Sequence, residues 1–185
     1  NMGYKLTPTA GSDFPYNPTA GDVPMFVHVD GPFSFDKWFE GLKAGHTFVT
    51  DGPIIEFAVD GQLPGSEINL KKPGRVGVHA TAQVNPTIDK IKRLEIVQFG
   101  QPVQSIAANN DADTVLELNF DLDVTKSTWI AARAYGEKSK GHTAAVWLTV
   151  KGARAWNTES LPTEFDRAEQ ELKEVEEGMA ADGAD

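Results

Sequence analysis

From Pro53 to Gly152 the chain alternates apolar and polar residues with a period of two, broken by turns rich in Gly, Pro, Asn and Asp. The strictest run sets Leu116, Leu118, Phe120, Leu122 and Val124 against Glu117, Asn119, Asp121 and Asp123. Successive strand side chains point to opposite faces, so such a run buries one face and leaves the other in water. Ile55, Phe57 and Val59 repeat the pattern, as do Val76, Val78, Ala80 and Ala82. Shorter strands are predicted at Leu94 to Ile96, Val103 to Ile106, Trp129 to Tyr135 and Thr143 to Val150. Seven short, half-polar strands in roughly 100 residues predict an immunoglobulin-like antiparallel β-sandwich. The same half-polarity excludes a parallel sheet covered on both faces.

The flanks obey other rules. Before Pro32 the chain is punctuated by Pro8, Gly11, Pro15, Pro18, Gly21, Pro24 and Gly31, which forbids long regular elements apart from a short strand at Met25 to Val29. So long a loop is expected as a connection against a larger body. Ser34 to Ala44 reads as a helix, with Phe35, Trp38, Phe39 and Leu42 on one stripe. Ser34 suits its N-cap, Asp36 its positive end and Gly45 its left-handed stop. A second helix is predicted over Thr163 to Met179. Leu161, Phe165, Ala168, Leu172, Val175 and Met179 form a narrow seam there, stepping by four and three. The chain thus divides into 1–52, 53–152 and 153–185.

Charge separates the last segment from the rest. Of the net −10, residues 161–185 carry −7, with nine acidic side chains against Arg167 and Lys173. The remaining 160 residues are nearly balanced, and the overall excess of 27 acidic over 17 basic residues argues against nucleic acid as a partner. No apolar run approaches the roughly 20 residues of a membrane-spanning helix. The absence of cysteine removes disulfides, thiolate catalysis and Cys-type zinc sites.

Candidate chemistry is sparse. His28, His46, His79 and His142 show no local metal-binding spacing. His79 lies on the polar side of a strand, His142 opens the last strand, and His46 follows Gly45 where a cation eases the last helix carbonyls. Ala10-Gly11-Ser12-Asp13 places a carboxylate in a small-residue turn, where it suits a divalent cation or an ordinary Asx turn. There is no nucleophile elbow and no phosphate loop.

The order of several short stretches carries a resemblance. Leu6-Thr7-Pro8-Thr9-Ala10-Gly11-Ser12-Asp13 resembles the Ala-Gly-[Ser/Thr]-Asp turn near the end of a PHP-type metallohydrolase barrel. Trp38, followed by Gly41-Leu42-Lys43-Ala44-Gly45-His46-Thr47-Phe48-Val49-Thr50-Asp51-Gly52-Pro53, is similar to a stretch of CehA/McbA-type hydrolases. So are Phe57-x-Val59-Asp60-Gly61, Pro64-Gly65, Trp129-Ile130-Ala131-Ala132-Arg133 and His142-Thr143-Ala144-Ala145-Val146-Trp147. The resemblance spans most of Leu6 to Gly152. It implies the carboxyl-terminal part of a metal-dependent hydrolase of ester-, carbamate- or phosphoester-like bonds. Residues 1–52 would then be the terminal loop and helix of an α/β barrel, with the rest of the barrel, including its His-x-His motif, on a preceding stretch.

On the same resemblance Asp13 matches the last metal-binding carboxylate, for zinc, manganese or iron in the full-length parent. His46, Thr50, Asp51 and His142 fall near the substrate or the domain junction. The chain departs from the pattern twice, with Phe14-Pro15 where many relatives place a His ligand and His46 where Arg is common. The chain by itself is expected to bind no metal tightly and to turn over no substrate. Its partners would be the barrel, or a second copy through Phe35, Trp38 and Phe39. The rival reading is a stand-alone immunoglobulin-like module of an extracytoplasmic protein, binding carbohydrate or protein, with Trp129, Trp147 or Trp156 available to stack on sugar rings.

Overall fold

A computed structural model describes residues 3–16 and 19–182. In chain order the elements are β1 (Met25–Val27), α1 (Phe35–Ala44), β2 (Thr47–Thr50), β3 (Ile54–Val59), β4 (Glu67–Leu70) and β5 (Gly74–Gln83). There follow β6 (Ile91–Gln98), β7 (Gln101–Ala107), β8 (Val115–Val124), β9 (Thr128–Gly136), β10 (Lys140–Thr143), β11 (Val146–Val150) and α2 (Leu161–Asp182).

The period-two segments form two facing sheets. One is three-stranded, in the order β3-β5-β8, antiparallel throughout. The other is centred on β9, with β6 and then β7 on one side and β10 and β11 sharing the other. Consecutive strands cross repeatedly between the sheets, as the immunoglobulin-like class requires. Ile55, Phe57, Val59, Val76 and Val78 meet Leu94, Ile96, Ile130, Val146 and Leu148 in one closed core.

Three features extend this frame. The predicted last strand is two. The β10–β9 register advances by one residue before β11 pairs, and the hydroxyl of Thr143 fills the break by accepting from the Ala132 N–H at 3.0 Å. The divided strand therefore has two outer neighbours. β11 takes β4 in parallel, whereas β10 takes β2 antiparallel, and β2 takes β1. Residues from 1–52 are thus hydrogen-bonded into the larger sheet, which reaches past the edge strand β3.

α1 ends as its sequence predicts. Ser34 Oγ accepts from the Lys37 N–H, and Gly45 sits at φ 77°. The N–H groups of Gly45 and His46 donate to the carbonyls of Leu42 and Gly41, closing a Schellman motif. Gly41 is where the helix touches the sheet. A Cβ there would lie 2.6 Å from the His28 carbonyl oxygen and 2.7 Å from Val27 Cγ1. The residue that weakens the isolated helix is the one that lets it dock. Gly65, at φ 88°, packs against the end of the helix, where a Cβ would overlap the Ala44 carbonyl.

Candidate functional site

Of the residues implicated by the resemblance, three meet at one corner, where the β2–β3 turn reaches the β9–β10 hairpin. The buried Thr50 hydroxyl donates to the Pro53 carbonyl at 2.7 Å and accepts from the Gly52 N–H at 2.9 Å. Asp51 clasps Lys140 twice: its N–H donates to the Lys140 carbonyl at 3.1 Å, and its Oδ1 accepts from the Lys140 N–H at 2.5 Å. The hairpin is fastened from the other side by Asp89. That carboxylate accepts from the N–H groups of Lys90, Glu137 and Lys138 and from the Ser139 hydroxyl. Burial alone would raise the Asp89 pKa, but these donors outweigh it and hold the group below its ordinary value.

His142 is the third member. It pairs with Arg133 across β9 and with Val49 across β2. Its Nδ1 donates to the Thr143 carbonyl at 2.6 Å. A carbonyl only accepts, so the neutral ring keeps its lone pair on Nε2. Burial pushes its pKa below the ordinary value and the Arg133 charge adds to this, against the hydrogen bond to Thr143. A cavity of about 310 Å³ lies here, lined by His142, Thr50, Arg133, Tyr135, Lys140 and Val49 among others.

Sequence reasoning missed the strongest polar feature beside it. Strand register sets Ser105, Glu95, Arg133, His142, Val49 and Met25 in one row across six strands. Glu95 is buried, and its Oε1 receives Arg133 Nη2 at 2.7 Å and the Tyr135 hydroxyl at 3.2 Å. Arg93 Nε approaches Oε2 at 3.1 Å, with its guanidinium 4.4 Å from the Tyr135 ring centre. A buried carboxylate needs such company, since burial without it costs several kcal/mol, on the order of a lost native interaction. The available signal was a lone Glu between Leu94 and Ile96, together with the Arg that ends Trp129-Ile130-Ala131-Ala132-Arg133.

The other two residues lie apart from this corner. His46 borders a separate apolar cleft of about 580 Å³, between the sheet extension (Phe26, Phe48, His28) and the edge strand (Ile54, Glu56). Phe26 and Phe48 stack there, 4.9 Å between centres and 5° from parallel. Asp13 stands exposed in its turn at φ 53°. Among the described residues no three His, Asp or Glu side chains cluster to hold a metal ion. Asp13 therefore offers one ligand and not a centre. No helix of the described residues is long and apolar enough to cross a membrane. Of the tryptophans, Trp147 is buried, Trp129 is half-buried edge-on to Phe99, and Trp156 is exposed, with the Arg154 guanidinium 5.6 Å away.

No family model matches the chain, and no curated protein does. Several solved structures share part of its trace. A superoxide reductase (neelaredoxin) variant from Ignicoccus hospitalis is 18% identical, over 54% of this chain and 79% of its own, at a TM-score of 0.34. The fibronectin(III)-like modules of Clostridium thermocellum CbhA are 16% identical over 52% and 98%, at 0.31. A lytic polysaccharide monooxygenase from Jonesia denitrificans is 18% identical over 48% and 58%, at 0.29. Likeness this remote carries no argument about chemistry. The class, an immunoglobulin-like β-sandwich extended at one edge, follows from the strand order itself.

Proposed function

We propose that this chain is the sandwich-bearing carboxyl-terminal part of a CehA/McbA-type metal-dependent hydrolase, and that it serves as the body against which the catalytic barrel docks. One observation carries the reading. Large apolar side chains lie open along the first forty residues: Tyr4, Leu6, Phe14, Tyr16, Phe26, Phe33, Phe35 and Phe39. Apolar side chains left in water in such number offer a surface for another body to cover. It flanks the two stretches with the clearest resemblance, the Ala-Gly-Ser-Asp turn and α1 with its following strand.

In this reading Asp13 supplies one carboxylate to a zinc, manganese or iron site whose other ligands lie on the barrel. Such a metal lowers the pKa of a bound water. The described residues alone do not fit a resident metal, so hydrolysis of ester-, carbamate- or phosphoester-like bonds belongs to the complete polypeptide. The Thr50–Asp51–Lys140 clasp and His142 would hold the sandwich side of the joint in shape.

The test reads the frame upstream of the Asn1 codon. A continuous frame of a few hundred codons containing a His-x-His motif is expected. A stop and start immediately upstream would overturn the proposal. Sedimentation with an apolar dye gives an independent check: dye binding or a dimer lost in Phe35→Asp is expected, and a dye-free compact monomer counts against it. The rival, a stand-alone binding module, leans on the exposed Trp156; tryptophan fluorescence unchanged across a glycan panel would remove its support.

A further inference from the structure

We infer that α2 is a docking helix for a lysine- or arginine-flanked amphipathic helix of another protein, and that its own charges keep it from pairing with a second copy. The inference is independent of the hydrolase reading. Phe165, Leu172, Val175 and Met179 are each more than half exposed, so the body of the chain leaves them uncovered. Their spacing, with Leu161 and Ala168, alternates four and three, placing Phe165, Leu172 and Met179 at heptad position a and Leu161, Ala168 and Val175 at position d.

That register assigns the flanks. Glu164 and Glu171 fall at g, and Glu169 and Glu176 at e. The helix's two cations, Arg167 and Lys173, fall at c and b, away from the seam. Arg167 reaches back to Glu164 at 2.8 Å and forward to Glu171 at 3.6 Å; Glu164 is mostly covered, whereas Arg167 and Glu171 are largely exposed and their pair is weak. The seam is therefore apolar with acidic margins on both sides.

The margins decide between occupants. A parallel second copy would set Glu164 against Glu169 and Glu171 against Glu176, twice each. An antiparallel copy would set g against g and e against e, again acid on acid. An anionic lipid surface attracts amphipathic helices with basic polar faces and repels this one. A helix with an apolar seam and basic e and g positions meets both requirements at once, and the charges would speed and select its encounter.

The test uses the full chain and two synthetic three-heptad peptides. Both carry leucine at a and d; one has lysine and the other glutamate at e and g. Fluorescence anisotropy in low salt is expected to show the lysine peptide binding at least ~10-fold tighter, since the pairings at the exposed Glu169, Glu171 and Glu176 change sign. That preference should shrink as salt rises. Leu172→Asp with Val175→Asp, both at exposed positions, should abolish binding while circular dichroism shows the sandwich intact. Equal affinity for the two peptides, or no binding of either, overturns the inference. So does a wild-type dimer in sedimentation that the same double variant returns to monomer.

Discussion

The sandwich and the two helices solve the same problem to different degrees. In the sandwich the inner apolar faces meet: β3, β5 and β8 lay theirs on β6, β9 and β11, and the core side chains lose almost all contact with water. In α1 the backbone is equally well served, from the Ser34 cap to the Schellman close at His46, yet Phe35 and Phe39 remain open. α2 repeats this with Phe165, Leu172 and Val175. Hydrogen-bond satisfaction and apolar burial are thus separable. A helix completes the first from its own residues, but the second needs a neighbour. Where the fold supplies no neighbour, the stripe stays in water.

Substitutions can break or sharpen this contrast. Leu148→Ala empties the closed core and should cost about 3–4 kcal/mol in urea unfolding. Glu95→Ala leaves Arg133 and Arg93 beside a buried gap; a loss of about 2–3 kcal/mol is expected, discounted because both guanidiniums are partly exposed. A double-mutant cycle with Arg133→Ala should show strong non-additivity. Gly65→Ala puts a methyl into the Ala44 carbonyl, so α1 should loosen at a cost of about 1–2 kcal/mol. Limited proteolysis between β1 and β2 should then rise while the core strands stay protected.

The pH response has a defined sign. His142 is favoured neutral in the folded chain, so the unfolded chain binds the extra proton first as acid is added. Stability is full above about pH 6.5 and falls below it, and His142→Gln should flatten that slope in thermal melts. Asp89 acts lower. Its depressed pKa gives stability that is present above about pH 4 and lost as pH drops further, a loss that Asp89→Asn should blunt. Phe35→Ala should change stability by no more than about 0.5 kcal/mol, since its ring is already in water. A larger loss would mean that α1 is covered after all.

Most strands were readable because alternation is a local property: β8 follows from Leu116 to Val124 without knowledge of any partner. The ends of α1 were readable for the same reason, through Ser34 and Gly45. β4 was not, since Glu67-Ile68-Asn69-Leu70 is short and its strand character lies in parallel pairing with β11, far along the chain. β2 was not either, because Thr47 to Thr50 is too short to show alternation and its strand character lies in pairing with β1 and β10. Of the residues singled out for function, Thr50, Asp51 and His142 share a corner, while His46 and Asp13 stand elsewhere.

Residue order alone settles the long alternating strands, the presence of two helices, the ends of α1, and that residues 161–185 carry an acidic-edged seam. Those properties depend on side chains within a turn or two of one another. The row from Glu95 through Arg133 to His142, the shared edge of β9 and the overhang beyond β3 come only with folding. They depend on register between strands distant in sequence, where a shift of one residue turns every side chain to the opposite face.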